Sequence, residues 1–279
     1  MLASQKHEGR SQKHEVRSQK PWRTVRLQTA DFRLALVVAL VVLCASAALA
    51  QRRGGRFGRQ AVLPNVEYDG RFAFVRVRYG PDYGFVSQGM EWTHDYPAGE
   101  QHFMKIVNEV TYLNPHTDET SILPLDSPDL FKYPIAYLCE PGSWEMSEAE
   151  AVGLRAYLNK GGFLIVDDFR YQHWGNFEAQ MLRVLPGARF YDLDLTNPIF
   201  HAFFEVKTLD VPQYYDPPPA IFRAVYEDND PAKRIVVMIN YNTDISEFWE
   251  WSDTGLKPID ESNEAYKLGV NYIVYGLTH

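Results

Sequence analysis

YPIAYL (133–138) followed by LRAYLNKGGFLIVDD (154–168) is the stretch on which the fold turns. YPIAYL is a short unbroken apolar run and reads as a strand buried on both faces. Between the two stretches, Ser147 and Glu150 match a capping box, in which each side chain satisfies a free backbone N–H of a first helical turn. The helix they open carries Ala151, Leu154 and Leu158 on one side. Gly161-Gly162 ends it with the left-handed cap that glycine supplies without steric cost. GFLIVDD (162–168) is then a second buried strand. Strand, helix and strand with short links form a parallel βαβ unit.

Working outward, the same alternation continues. RFAFVRVRYG (71–80) sets Phe72, Phe74 and Val75 against Arg71, Arg76 and Arg78 and reads as a strand. A loop with Trp92, His94 and Asp95 leads to Pro97 and a helix over 98–112. Its apolar face is Phe103, Ile106, Val107 and Val110. A helix over 174–185 stops at Pro186-Gly187, and RFYDLDL (189–195) reads as a strand. AIFRAVYE (220–227) and RIVVMINY (234–241) flank Asp228-Asn229-Asp230-Pro231 as a hairpin or adjacent strands. A last helix over 261–277 turns Ala265, Leu268, Tyr272 and Ile273 inward. The class is α/β, a three-layer sandwich with a mostly parallel sheet.

The N-terminal region has another character. LALVVALVVLCASAALA (34–50) holds no charge, Pro or Gly, follows Arg23, Arg26 and Arg33, and closes on Ala48-Leu49-Ala50. That is a signal peptide with cleavage expected after Ala50. As a helix it spans about 25 Å, at the lower limit for a membrane anchor, which is the alternative. Upstream, SQKHEGR, SQKHEVR and SQK repeat every seven residues without an apolar position. The working start is expected downstream, near Val25 or Leu27. Residues 51–66, with Arg52, Arg53, Arg56 and Arg59 among glycines, read as a basic tether, and 67–279 as the α/β domain.

The leader carries 8 Lys and Arg against 3 Asp and Glu, of 28 and 36 in the whole chain, so residues 51–279 keep 20 and 33, a formal charge of −13. That balance argues against nucleic acid and anionic lipid as partners and suits cationic ligands. Membrane contact is expected through the N-terminal segment alone. Cys139 is the one cysteine after Ala50, so no intramolecular disulfide forms in the cleaved chain.

EWTHDYP (91–97), YPIAYL (133–138), LRAYLNKGGFLIVDD (154–168), VLPGARF (184–190), NPIF (197–200), INYNTDISEFWEW (239–251) and LGVNYIVYGLT (268–278) together resemble the bacterial domain-of-unknown-function family 4159. The resemblance implies a fold like that of the class I glutamine amidotransferases, a flavodoxin-like arrangement. It implies no reaction.

In open α/β sheets, ligands bind outside the carboxyl ends of the strands. That rule selects a rim of Tyr79 and Asp82, Cys139 and Glu140, Asp167 and Asp168, and Asn242 and Asp244. Asp167-Asp168 is the most pointed feature. Adjacent residues of a strand face opposite ways, so at most one enters the crevice. It serves as a metal ligand or a base, or else it caps a loop by accepting backbone N–H groups. With His173, Glu140 and Asp244 an oxygen-rich site for Ca²⁺, Mg²⁺ or Mn²⁺ can be drawn. No metal motif is present, however, and no cofactor is expected. Cys139 sits in L-C-E-P-G with the next helix too late to form an oxyanion hole and no His-x-Glu partner, so it reads as an inert buried thiol. Trp92, His94, Asp95, Tyr96, Trp249 and Trp251 form an aromatic and polar cluster that reads as loop packing or as a platform for sugars or amines. His94, His102, His116 and His201 read as isolated residues.

The function expected is a non-catalytic ligand-binding or envelope assembly module, periplasmic or extracellular, taking a small molecule or an envelope protein. The alternatives are a hydrolase or metal-dependent enzyme centred on Asp167 or Asp168, and a membrane-anchored interaction subunit. Expression in a secreting bacterium is expected to yield a chain beginning at Gln51, read by N-terminal sequencing. A membrane-bound chain that retains residues 34–50 would establish the anchor instead.

Overall fold

The computed structural model describes residues 60–81, 85–86, 90–211 and 219–279. The heptads, the apolar run 34–50, the first part of the tether and Asp82 lie outside the described residues. Among those described, the strands are β1 (Gln60–Ala61), β2 (Val75–Val77), β3 (Phe85–Val86), β4 (Ser121–Leu123), β5 (Ile135–Cys139), β6 (Phe163–Phe169), β7 (Tyr191–Asp192), β8 (Ile221–Tyr226) and β9 (Ile235–Tyr241). The helices are α1 (Ala98–Val110), α2 (Glu148–Asn159), α3 (His173–Val184), α4 (Ser246–Glu250) and α5 (Ile259–Thr278). None is long and apolar enough to cross a membrane.

Seven strands form one sheet in the order β4-β2-β5-β6-β9-β8-β7, while β1 and β3 pair separately. The five strands from β4 to β9 run parallel, and β8 and β7 continue antiparallel from β9. The βαβ unit is as the sequence reads. Ser147 N–H donates to Glu150 Oε2 at 2.8 Å and Glu150 N–H to Ser147 Oγ at 3.2 Å. Gly161 takes a φ of +109°, and a Cβ on Gly162 would fall 2.4 Å from the Tyr157 ring. The parallel setting of β9 against β6 brings residues 242–244 to the same rim as 139–140 and 167–168.

Strand residues alternate between two cores. Ala136, Leu138, Leu164 and Val166 face one layer with Leu154 and Leu158 of α2 and Phe177 and Met181 of α3. Ile135, Tyr137, Phe163 and Ile165 face the other with Phe103 of α1, Trp249 of α4 and Leu268 and Tyr272 of α5. Burial on both faces makes the central strands continuous apolar runs.

Four expectations change. The strand over 71–80 contracts to Val75–Val77, and that over 189–195 to Tyr191–Asp192. The helix over 98–112 ends at Val110, which is exposed and not part of the apolar face. Arg76, read as the polar side of an alternating strand, is 1% exposed. Its strand lies between β4 and β5 and is covered on both faces, so alternation there marks no solvent side. Its charge is met by Glu100 of α1, with Nε and Nη2 donating to the two carboxylate oxygens at 2.9 and 2.8 Å.

Breaking a buried ion pair on one side strands the other charge in a poorly solvating interior. Arg76→Met or Glu100→Gln is expected to cost about 3–5 kcal/mol of unfolding free energy in urea titration. The double variant Arg76→Met/Glu100→Met is expected to recover most of that loss, and an equally large loss there would refute the assignment.

Candidate functional site

Strand β6 breaks its own alternation where it reaches the rim. Val166 and Phe169 pack into the same layer, and the pairing with β9 shifts register between them. One residue is therefore extra, as in a β-bulge. Asp168 takes a φ of +59° there. Left-handed backbone is costly for a residue with a Cβ, and it gathers at this rim: Asp95 (62°), Glu140 (51°) and Asn242 (58°) share it.

The two carboxylates of the bulge have separate fates. Asp167 points down into the domain. Its Oδ1 accepts from Asn240 Nδ2 at 3.0 Å and its Oδ2 from Ser246 N–H at 3.1 Å, with the Tyr137 hydroxyl 2.9 Å from Oδ2. Tyr272 in turn donates to Asn240 Oδ1 at 3.0 Å. Asp167 thus ties the start of α4 to the sheet, the capping role. Asp168 faces the rim. Its Oδ2 lies 2.6 Å from His94 Nδ1 and accepts from the Cys139 thiol at 3.8 Å, and its Oδ1 lies 3.7 Å from Arg170.

The expectation of an isolated His94 is overturned, since its Nδ1 meets Asp168 Oδ2 and a ring nitrogen lies within 4.8 Å of the Cys139 sulfur. Arg76 places it. Nη1 of that buried guanidinium donates to the backbone carbonyls of Trp92 and His94 at 3.1 and 2.9 Å. Asp95 beside it is buried, with Oδ1 3.7 Å from His94 Nδ1 and Oδ2 accepting from Ser246 Oγ at 2.5 Å. One ligating atom from each of His94, Asp95, Cys139 and Asp168 lies within 4.8 Å of the others. The sequence signal for His94 was its place in the loop that follows the carboxyl end of β2, the rim connection.

The remaining rim residues support this group. Tyr79 donates to the backbone carbonyls of Cys139 and Glu140. Trp92 is buried, and Trp249 stacks on Phe103 at 4.2 Å, so both pack the fold. Asn242 Oδ1 accepts from Tyr171 N–H. Asp244 Oδ1 accepts from Glu247 N–H at 2.9 Å, and its Oδ2 lies 3.9 Å from Arg170. His173 stands apart from the cluster, its ring against Gly142, where a Cβ would fall 2.4 Å from Cγ. The thiol of Cys139 is fully buried at a strand end followed by a short 3-10 turn over Pro141–Ser143, the wrong setting for an exposed nucleophile.

Burial governs the electrostatics. It raises the pKa of Asp167 to about 7, helped by the charge of Asp244, and that of Asp244 to about 6, helped by Asp95. Burial likewise lifts Asp95 to about 6 against the relief from His94, and Glu140 to about 7. The thiol of Cys139 is pushed up by burial. Burial is the largest single influence on His94 and opposes its charged ring, but the hydrogen bond to Asp168, the Cys139 contact and the charges of Asp95 and Asp168 together outweigh it, and the net shift is upward. Burial and the charge of Asp244 raise Asp168 too, so His94 and Asp168 share a retained proton.

These carboxylates titrate near pH 4 in an unfolded chain. Between about pH 4 and about pH 7 the folded state therefore binds more protons, and their contribution to stability falls as the pH rises. His94 acts in the same sense above its ordinary value. Exposed Asp69 and Asp194, whose pKa values are lowered by hydrogen bonds from Arg71 and Thr196, pull the other way. Urea titrations in chelator are expected to give Asp244→Asn a shallower decline with pH than the parent protein. A steeper one would contradict burial as the cause.

No curated protein matches the chain. The family described as Domain of unknown function (DUF4159) matches residues 73–277, a span that contains Arg76, His94, Asp95, Cys139, Asp168 and Asp244. The chain belongs to this domain-of-unknown-function family, DUF4159.

Proposed function

We propose that the chain is an exported binding domain whose rim site takes a cationic ligand. One observation carries the reading. Asp95, Asp168 and Asp244 are buried together at the carboxyl end of the sheet with Cys139, and Glu140 is half-buried beside them. Against them stand His94 and Arg170. Buried carboxylates without enough positive charge favour uptake of a cation, because a proton is otherwise the sole relief. The charge of −13 over residues 51–279 draws cations to the whole surface. Export rests on the apolar run 34–50, and the domain is read as an amidotransferase-like scaffold without that family's nucleophile elbow.

A hydrolytic reading draws on a different observation, the His94–Asp168 contact. A carboxylate on Nδ1 orients an imidazole whose half-exposed ring can serve as an acid or base toward water. That reading requires turnover, and His94→Ala must abolish it.

Thermal shift of the purified protein with divalent metals, primary and quaternary amines, sugars and glutamine tests the binding reading. A cation at a hundred times its Kd is expected to raise Tm by about 5–10 °C, and Asp168→Asn to remove the shift. Shifts with sugars or glutamine and with none of the cations would refute it.

A further inference from the structure

From His94, Asp95, Cys139 and Asp168 we infer a site for a single zinc-type divalent transition metal, with one imidazole nitrogen, one thiolate and two single carboxylate oxygens as ligands. The inference rests on the cation-binding reading and gives it a ligand set and a metal class.

The arrangement is convergent. A Cys-His-Asp relay strings its groups in line, with the two ring nitrogens of the histidine serving different partners. Here Asp168 Oδ2 meets both His94 Nδ1 and the Cys139 sulfur, while Asp95 Oδ1 approaches the same His94 Nδ1. Four groups gathered about one point are the geometry of a coordination sphere.

Asp95 supplies an independent observation. Its side chain is fully buried, and Oδ1 has no hydrogen-bond partner. A buried carboxylate oxygen left without a hydrogen bond is costly, and this one is turned toward His94 and the cluster.

The outer contacts divide the carboxylate oxygens in the same sense. Ser246 Oγ engages Asp95 Oδ2, and Arg170 lies beside Asp168 Oδ1. Asp95 Oδ1 and Asp168 Oδ2 are the oxygens left facing inward. Hydrogen bonds to the far oxygen of a ligating carboxylate are the usual means of fixing it. Arg76 fixes the backbone that carries His94 in the same way.

Ligand type sets the metal. Sulfur and imidazole ligands suit Zn²⁺ and Co²⁺, whereas Ca²⁺ and Mg²⁺ demand oxygen. The oxygen-rich set drawn from the sequence with His173 is thereby replaced. Metal entry displaces the thiol proton of Cys139 and the proton shared by His94 and Asp168, and both leave to solvent.

The test uses purified full-length protein, stripped with chelator and titrated with Co²⁺ and Zn²⁺. One metal per chain is expected, with Zn²⁺ favoured over Mg²⁺ and Ca²⁺. Cobalt is expected to give a near-ultraviolet thiolate-to-metal band that Cys139→Ser abolishes. In a Cys44→Ser background Cys139 is the sole thiol, so the band reports it even where Cys139→Ser fails to fold. Asp95→Asn, which keeps the contact to Ser246, is expected to weaken binding by about tenfold or more. Cobalt binding without the band, or Ca²⁺ and Mg²⁺ binding as tightly as Zn²⁺, overturns the zinc-type site and leaves the cation reading standing. A response to amines with none to metals does the same. Silence toward every cation overturns both.

Discussion

The pairing of Arg76 with Glu100 is the constraint from which the rim takes its shape. A guanidinium placed on a central strand has no water to face, and its charge must be answered within the domain. Glu100 answers it from the first turns of α1, which fixes that helix against the sheet. The remaining N–H groups of the fork then reach the carbonyls of Trp92 and His94. One side chain thus positions a helix and the loop that precedes it. A lysine could not do both, since its donors radiate from a single atom and Arg carries a planar fork.

Beneath the rim lies a second polar network with another task. Asp167, Tyr137, Asn240, Ser246 and Tyr272 are all buried and joined by hydrogen bonds. A satisfied network of this kind is rigid because each member loses a partner if it moves. Ser246 links the two levels, since its N–H serves Asp167 and its hydroxyl serves Asp95. Asp95 of the upper cluster is therefore tied to the sheet through the first residue of α4.

Much of the frame was legible because it rests on local rules. The capping box at Ser147, the left-handed Gly161 and the apolar runs of β5, β6 and β9 each carry their cause within a few residues. Arg76 was not legible, because the same alternating pattern describes a half-exposed strand and a buried one whose charge is met 24 positions later. His94 was named yet left alone, since its partners lie 45 and 74 positions away and no periodic pattern ties a loop residue to two strand ends. The pair Asp167-Asp168 was recognised, and the rule that neighbours face opposite ways anticipated two directions for its carboxylates. What the rule lacked was the bulge, a long-range accommodation between β6 and β9 that adds a residue without a glycine to announce it.

Exposure across the cluster is uneven. Asp95, Cys139 and Asp168 are sealed, whereas the His94 side chain is 47% exposed. The His94 ring meets solvent on one side and Asp168 on the other, while Arg76 clamps the main chain that carries it. Among the described members of the cluster, this imidazole gives a proton its most direct way to water, and the ring turns aside only by breaking its contact with Asp168.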